Sequence, residues 1–387
     1  MRCNLTGVTI DRPSSMDLDD GFWLTRTDDI FKLNISVSEV ASIIPIGSEL
    51  DINAYEQIES VYRLNGTAIK HMLPKNIAEC TASFLPSQTR QALTMVISFD
   101  KDYNLLGTPR FVQSIFRSIK KLFYSDIHWL LRNNHDEIFP MINQAFDLAL
   151  ELMRKRFPER KISREDVCEG IIFDDDGKRL ACDSIETEGH IIITEFSILF
   201  NLLVAQYLKN LGIPALYRVH KKTEVLSIAN YSITPEKHED MKIDYYLRAT
   251  SPIRRFSDLV NQRILISTLT NQNNYYNEEN LSELLQRLNT KVLNKPEDDL
   301  REYKRIVIET DTIETLSKWC RAHQVPIPKI HVKPEDRFFI GECQMLFMGE
   351  KLQYKTRRLA QQNLARKSAA TGICNLINQK IDNTKSG

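Results

Sequence analysis

Residues 9–21 read TIDRPSSMDLDDG, which puts four aspartates, Asp11, Asp17, Asp19 and Asp20, within ten positions. Carboxylates a few ångströms apart repel, and some would protonate unless a cation lay among them. An apolar run precedes the cluster (Leu5, Val8, Ile10), and Phe22, Trp23 and Leu24 follow it. That pattern predicts an ordered segment that starts on a strand. Oxygen-only donors suit Mg²⁺ or Mn²⁺, and Mg²⁺ sites pair a few carboxylates with substrate phosphate oxygens. The cluster reads as a site for divalent-metal phosphoryl transfer, and a solvated acidic turn is the competing reading. An EF-hand calcium loop is excluded, because its ligands alternate whereas Asp19 and Asp20 are adjacent.

A second stretch, YYLRATSPIRRFSDLVNQRIL (Tyr245–Leu265), carries Ser251-Pro252, which predicts the start of a helix over Ser251–Thr268. Arg254 and Arg255 then fall near the helix N-terminus, where cations oppose the helix dipole. Either a nearby anion such as phosphate accounts for them, or they pair with carboxylates such as Asp258.

Together the two stretches resemble the ribonuclease II family catalytic domain. DRPSSMDLDDG resembles that family's D-x5-D-x-D-D signature, and TSPIRRFSDLVNQR its TSPIRRY-x-DL-x-x-HR signature. The chain between them agrees in order. GSELDINAYEQIESVY (Gly47–Tyr62) resembles GS-x-LD-x-x-A…SVY, HMLPKNIAE (His71–Glu79) resembles MLP-x-x-L-S, and KKLFYSDIHWLL (Lys120–Leu131) resembles KLTY-x-x-V. IITEFSILFNLLVAQYL (Ile192–Leu208) resembles the IEE-x-M-x-x-AN helix, and ALYRVH (Ala215–His220) resembles LYR-x-H. The likeness spans roughly residues 1–268. Three departures stand out. Glu39 occupies an Asp position in SVSEVA, His71 replaces Pro in PMLP, and only a short segment joins His220 to Tyr231. The cold-shock and oligonucleotide-binding barrels of longer members have no counterpart in these residues, so RNA capture is expected to differ.

The resemblance implies an α+β fold, a mixed β-sheet surrounded by helices. It implies hydrolytic 3′-to-5′ degradation of single-stranded RNA, releasing nucleoside 5′-monophosphates. Asp11 and Asp20 would bind Mg²⁺ (or Mn²⁺), and Asp17 and Asp19 would complete the cage. Asp17, Asp19 and Arg254 are the expected catalytic residues, with Arg254 stabilising charge on the transferring phosphoryl group. Arg255 is a further candidate contact to substrate. Tyr62 falls on the tyrosine that clamps the 3′-terminal nucleotides. Tyr124 and Glu195 fall on residues linked to reading the ribose, whose 2′-hydroxyl both donates and accepts. A catalytically weak RNA-binding regulator on the same fold is the alternative.

Composition bounds the remaining readings. The formal charge of the 387 residues is zero, so attraction for RNA must be local. No GxxxxGK, GxGxxG or GxSxG occurs. Seven scattered cysteines, never spaced CxxC, argue against a disulfide framework and against zinc, and fit a cytoplasmic protein. The most apolar stretch, Ile191–Leu208, contains Glu195, Asn201 and Gln206, and reads as a buried helix with no membrane partner.

The expected organisation is a catalytic domain over 1–270, a helical connector over 271–310, a small domain over 311–380 and a tail over 381–387. Helices are expected over 51–63, 111–131, 138–156, 281–293 and 296–310, a strand over 92–100, and a hairpin over 171–180 with Asp174–Asp176 near its turn. Lys351–Gly387 holds eight Lys or Arg against one acid, Asp382. A helix (314–322), two strands (338–348, 351–356) and a helix (359–377) make this α-β-β-α region resemble a double-stranded-RNA-binding domain. Arg366 fits the last Lys of that family's phosphate clamp, and Gln362 and Asn363 replace its paired lysines. The expected partner here is structured RNA or a protein.

Overall fold

The computed structural model describes residues 2–63, 66–133, 135–159, 162–168, 171–173, 179–181, 186–220, 229–294, 312–323, 325–336, 338–348 and 350–385. The chain divides into two units, residues 1–61 with 68–289, and residues 62–67 with 290–387.

The first unit is built on a closed five-stranded barrel. Its strands are β1 (Cys3–Asp11), β2 (Asp20–Thr27), β3 (Ile30–Ser38), β4 (Thr89–Phe99) and β5 (Leu105–Phe123). Successive strands pair antiparallel, and β5 closes on β1 in parallel. The expected mixed sheet is thus present, and closure removes its edges. The expected helix over 111–131 is corrected: residues up to Phe123 belong to β5, and only Tyr124–Arg132 is helical (α2). Serines inside the barrel hide the alternation. Ser114 and Ser118 face inward with Phe116, and a hydroxyl chain runs from Ser36 to Thr94 (2.8 Å) to Ser114 (2.7 Å). Phe116 also needs space. A Cβ on Gly7 or Gly21 would lie within 2.8 Å of its ring, so glycines on β1 and β2 admit it.

Helix α1 (Glu49–Gln57) begins where Ser48 Oγ accepts from the Asp51 N–H at 3.2 Å. Asp51 also pairs with Arg263 at 2.7 Å, which gives the GSELD motif a structural role. Helices α3 (Phe139–Arg156) and α4 (Thr187–Asn210) lie with α2 against the barrel. Phe196 of α4 meets Phe22 of β2 edge-on, with ring centroids 5.0 Å apart. By length and composition α4 could cross a bilayer, but most of its apolar stretch is buried in this unit.

Helix α5 (Phe256–Thr270) starts later than expected. Residues 252–254 form a turn in which the N–H groups of Arg254 and Arg255 both reach the Ser251 carbonyl (3.3 and 3.0 Å). Gln262, buried on α5, donates to the Ser38 carbonyl and accepts from the Ala41 N–H, tying the helix to the end of β3. Helix α6 (Glu278–Asn294), expected in a separate connector, belongs to the first unit as far as Asn289, which pairs with the backbone of Tyr231. Ile171–Phe173 pairs with Arg179–Ala181 as the expected hairpin, while Asp174–Asp176 and residues 296–310 lie outside the described residues.

The second unit contains α7 (Thr312–Ala322), β6 (Ile330–Glu335), β7 (Phe338–Phe347), β8 (Glu350–Lys355) and α8 (Gln362–Lys385). The sheet has three antiparallel strands, not two. Strand β6 escaped notice because it holds Pro334 and alternating charges; it is an edge strand, where Pro is tolerated. Leu316, Trp319, Cys320, Met345, Phe347, Ala369 and Ile373 share one core.

Candidate active site

The parallel register sets Ile10 beside Leu122 and Asp11 beside Phe123. Asp11, ending β1, and Tyr124, opening α2, therefore emerge at the same end of the barrel. The chain then crosses to Asp20, the first residue of β2. Backbone contacts pin this loop. The Leu18 N–H donates to Ser83 Oγ (3.0 Å), the Ser83 hydroxyl donates to the Met16 carbonyl (2.6 Å), and the Ser38 N–H donates to the Asp19 carbonyl (2.8 Å).

Asp19, 2% exposed, joins the two stretches singled out above. Its Oδ1 accepts from the Ile253 N–H at 2.8 Å, and its Oδ2 accepts from Arg254 Nε at 2.9 Å. Arg254 Nη2 donates in turn to Ser251 Oγ at 2.9 Å, while the side chain stays 40% exposed. The delayed start of α5 makes this possible, because the turn presents the Ile253 N–H outside the helical ladder.

The aspartates crowd one another. Burial first, then the charge of Asp20, pushes Asp11 up to about 7. Burial pushes Asp19 up to about 8 against the pull of Arg254, and Asp20 up to about 6 against Arg254 and Arg255. Such a cluster is short of positive charge. Among the described residues neither the Asp11 nor the Asp20 carboxylate accepts a hydrogen bond, and no three His, Cys, Asp or Glu side chains converge as a finished ion cage. The fit to a hard divalent cation lies in donor chemistry and charge: oxygen donors only, with Asp17 and Asp19 buried and Asp11 and Asp20 half-buried, and undercompensated.

The other expected site residues divide. Tyr124 belongs to the site, because burial and the charges of Asp11 and Asp20 raise its phenol well above the ordinary range and keep the hydroxyl protonated. Arg255 is turned onto its own helix. Its Nε and Nη2 fork onto Asp258 at 2.9 and 2.8 Å, fixing the start of α5. Burial pushes Asp258 up, but Arg255, Arg248 and the Ser251 N–H outweigh it and hold the carboxyl below its usual value. Glu195 is not brought to Tyr124. It is buried, and both its oxygens meet Arg156. Tyr62 lies in a short pairing of Val61–Tyr62 with Ala68–Lys70, not at a helix end. Arg366 is exposed on α8 of the second unit.

Two residues of the site escaped the sequence. Lys121 Nζ donates to the carbonyls of Pro13 (3.3 Å) and Ser15 (2.6 Å), holding the loop between Asp11 and Asp17. Burial draws its pKa below the usual lysine value, although Asp11 and Asp17 oppose this. His190 of α4 stacks on Tyr124. Lys121 would have been visible had β5 been read as a strand, because it precedes Tyr124 by three positions on the element that ends beside Asp11.

Residues 3–225 and 223–271 match the RNB domain model, and the chain belongs to that family of ribonuclease-type domains. It is 23% identical over 330 residues to Ribonuclease R of Mycoplasmopsis pulmonis, covering 70% of this chain and 45% of that protein. It is 23% identical over 339 residues to Exoribonuclease 2 of Psychromonas ingrahamii, covering 72% and 51%. The chain thus spans about half the length of the curated relatives it matches. In fold it is similar to Mycoplasma genitalium RNase R in complex with ribose-methylated single-stranded RNA (TM-score 0.62, 19% identity, covering 90% of this chain and 63% of that one). It is also similar to an active-site mutant of the Dss1 exoribonuclease from Candida glabrata (TM-score 0.67, 16% identity, covering 93% and 52%). Yeast Ssd1, a pseudonuclease, shares the fold as well (TM-score 0.62, 14% identity, covering 91% and 50%).

Proposed function

We propose that this protein is a divalent-metal-dependent exoribonuclease that hydrolyses single-stranded RNA from the 3′ end and releases nucleoside 5′-monophosphates. The observation that carries this reading is the junction at Asp19, where a partly buried aspartate cluster, short of positive charge, meets an anchored, partly exposed arginine. The naming of its relatives as ribonucleases supports the same class of reaction. Asp11 and Asp20, with Asp17 and Asp19, would hold Mg²⁺ or Mn²⁺, which when bound polarises a phosphate and lowers the pKa of an attacking water. Arg254, held by Asp19 and Ser251, loses little freedom on meeting a phosphate oxygen and offsets charge that builds on the phosphoryl group. Lys121 fixes the loop, so the carboxylates keep their spacing. The protonated Tyr124 hydroxyl can donate to substrate. The second unit would bind structured RNA or a protein, and the cysteine pattern suits the cytoplasm.

The test is end-labelled single-stranded RNA with Mg²⁺, against wild type and Asp20→Asn. Stepwise shortening by the wild type, abolished by EDTA and by Asp20→Asn, is the expected result. The pseudonuclease fold relative gives the other outcome a meaning: RNA retained but never shortened would identify an RNA-binding regulator instead.

A further inference from the structure

At the border of the aspartate cluster two rings lie face to face. The Tyr124 and His190 centroids are 3.9 Å apart, with the planes 20° from parallel. The stack is built in by the fold. Gly189 precedes His190, and a Cβ there would lie 2.8 Å from both Cα and O of Tyr124, so only glycine lets α4 approach this closely. Tyr124 covers one face of the imidazole, yet the His190 side chain remains 45% exposed. Its Nε2 lies 3.5 Å from Glu186 Oε2, one turn earlier on the same face, which limits ring rotation. The positive charge of Arg12 acts on both rings. A half-exposed aromatic ring within the field of a guanidinium, next to carboxylates suited to phosphate chemistry, matches a nucleotide of single-stranded RNA: base on the ring, phosphate near the cation.

We propose that His190, backed by Tyr124, is a stacking platform for a base near the 3′ end of the RNA. This rests on the exoribonuclease reading and adds to it a residue that contacts substrate without entering the chemistry. The platform needs a flat ring but no ring nitrogen, so His190→Phe keeps it and His190→Ala removes it.

Two measurements test this. The first is steady-state hydrolysis of short single-stranded RNA by the wild type and both variants. His190→Ala is expected to raise KM by roughly 5- to 150-fold, the span of base–aromatic stacking, with kcat nearly unchanged, and His190→Phe to restore KM. The second is the fluorescence of 2-aminopurine placed at the 3′ end, read on binding to Asp20→Asn protein. Quenching is expected with His190 or Phe at this position, and its loss with Ala. Unchanged KM and quenching in His190→Ala overturn the platform, as does a Phe variant as impaired as the Ala variant. Normal RNA hydrolysis with no His190 dependence refutes the platform alone, whereas wild type that neither binds nor shortens RNA refutes the exoribonuclease reading with it.

Discussion

Asp19 does two jobs with one carboxylate: it closes the site by holding the Ile253 N–H and Arg254, and it adds charge to a crowded cluster. The folded pKa values of Asp11, Asp19 and Asp20, about 7, 8 and 6, all lie above the ordinary 3.8. The folded chain thus holds protons there that the unfolded chain has released, and the linked stability is present below about pH 4 and lost as pH rises to about 8. Without metal, thermal unfolding in EDTA should occur at lower temperature at pH 8 than at pH 5.5. Added Mg²⁺ should raise the midpoint, and more so at pH 8, because cation binding favours the deprotonated acids. Identical pH profiles with and without Mg²⁺ would refute the metal assignment. Arg254→Lys removes the fork that meets Asp19 and Ser251 together. Single-turnover hydrolysis should slow about 10²–10³-fold, the usual cost of losing a transition-state donor, with RNA binding largely kept.

Elements were legible where their pattern was uninterrupted. Helix α4 and the run into Asp11 could be read directly. Strand β5 could not, because Phe111, Phe116 and Ile119 suggest helical spacing while Ser114 and Ser118 occupy inward positions that an apolar alternation would mark. The start of α5 was misplaced because Pro252 suits both a first helical turn and the tight turn actually formed. Within the site, the aspartates stand out by type and spacing and Arg254 by the family resemblance, whereas Lys121 and His190 depend on which elements end side by side. The engagement of Glu195 by Arg156 is a tertiary fact with no local signal. Gln262 illustrates how an element holds the site from behind. Gln262→Leu would leave the Ala41 N–H and the Ser38 carbonyl without their side-chain partner. Each orphaned group costs roughly 1–3 kcal/mol, so urea unfolding should show a loss of about 2–6 kcal/mol. Because the Ser38 N–H also meets the Asp19 carbonyl, activity should fall before the fold does. A Leu variant as stable and active as wild type would show this stitch to be incidental.

For the molecule as a whole, the two units have separate cores, and the positive excess lies in one of them: eight basic residues against one acid over Lys351–Gly387, in a chain of zero net charge. Truncation should respect α6, whose Leu281, Leu284 and Leu288 are buried and whose Asn289 holds Tyr231. A chain ending at residue 295 is expected to hydrolyse short single strands at nearly the full rate. It should bind long RNA more weakly and with a shallower dependence on salt, since fewer phosphates are neutralised. Filter binding at two salt concentrations checks this, and equal slopes for both proteins would assign the second unit to a protein partner.

The parallel pair that closes the barrel also sets a schedule. Ser15 and Lys121 are 106 positions apart, and Asp19 and Arg254 are 235 apart. Contacts this distant form only after long loops have been closed, and during synthesis only after the later partner has left the ribosome. The aspartates are made before the arginine and the turn that complete their site, which follow Asp19 by more than 230 residues. On the exoribonuclease reading proposed above, the order of synthesis itself acts as a safeguard, because the aspartates lack Arg254 until 235 further residues have been made.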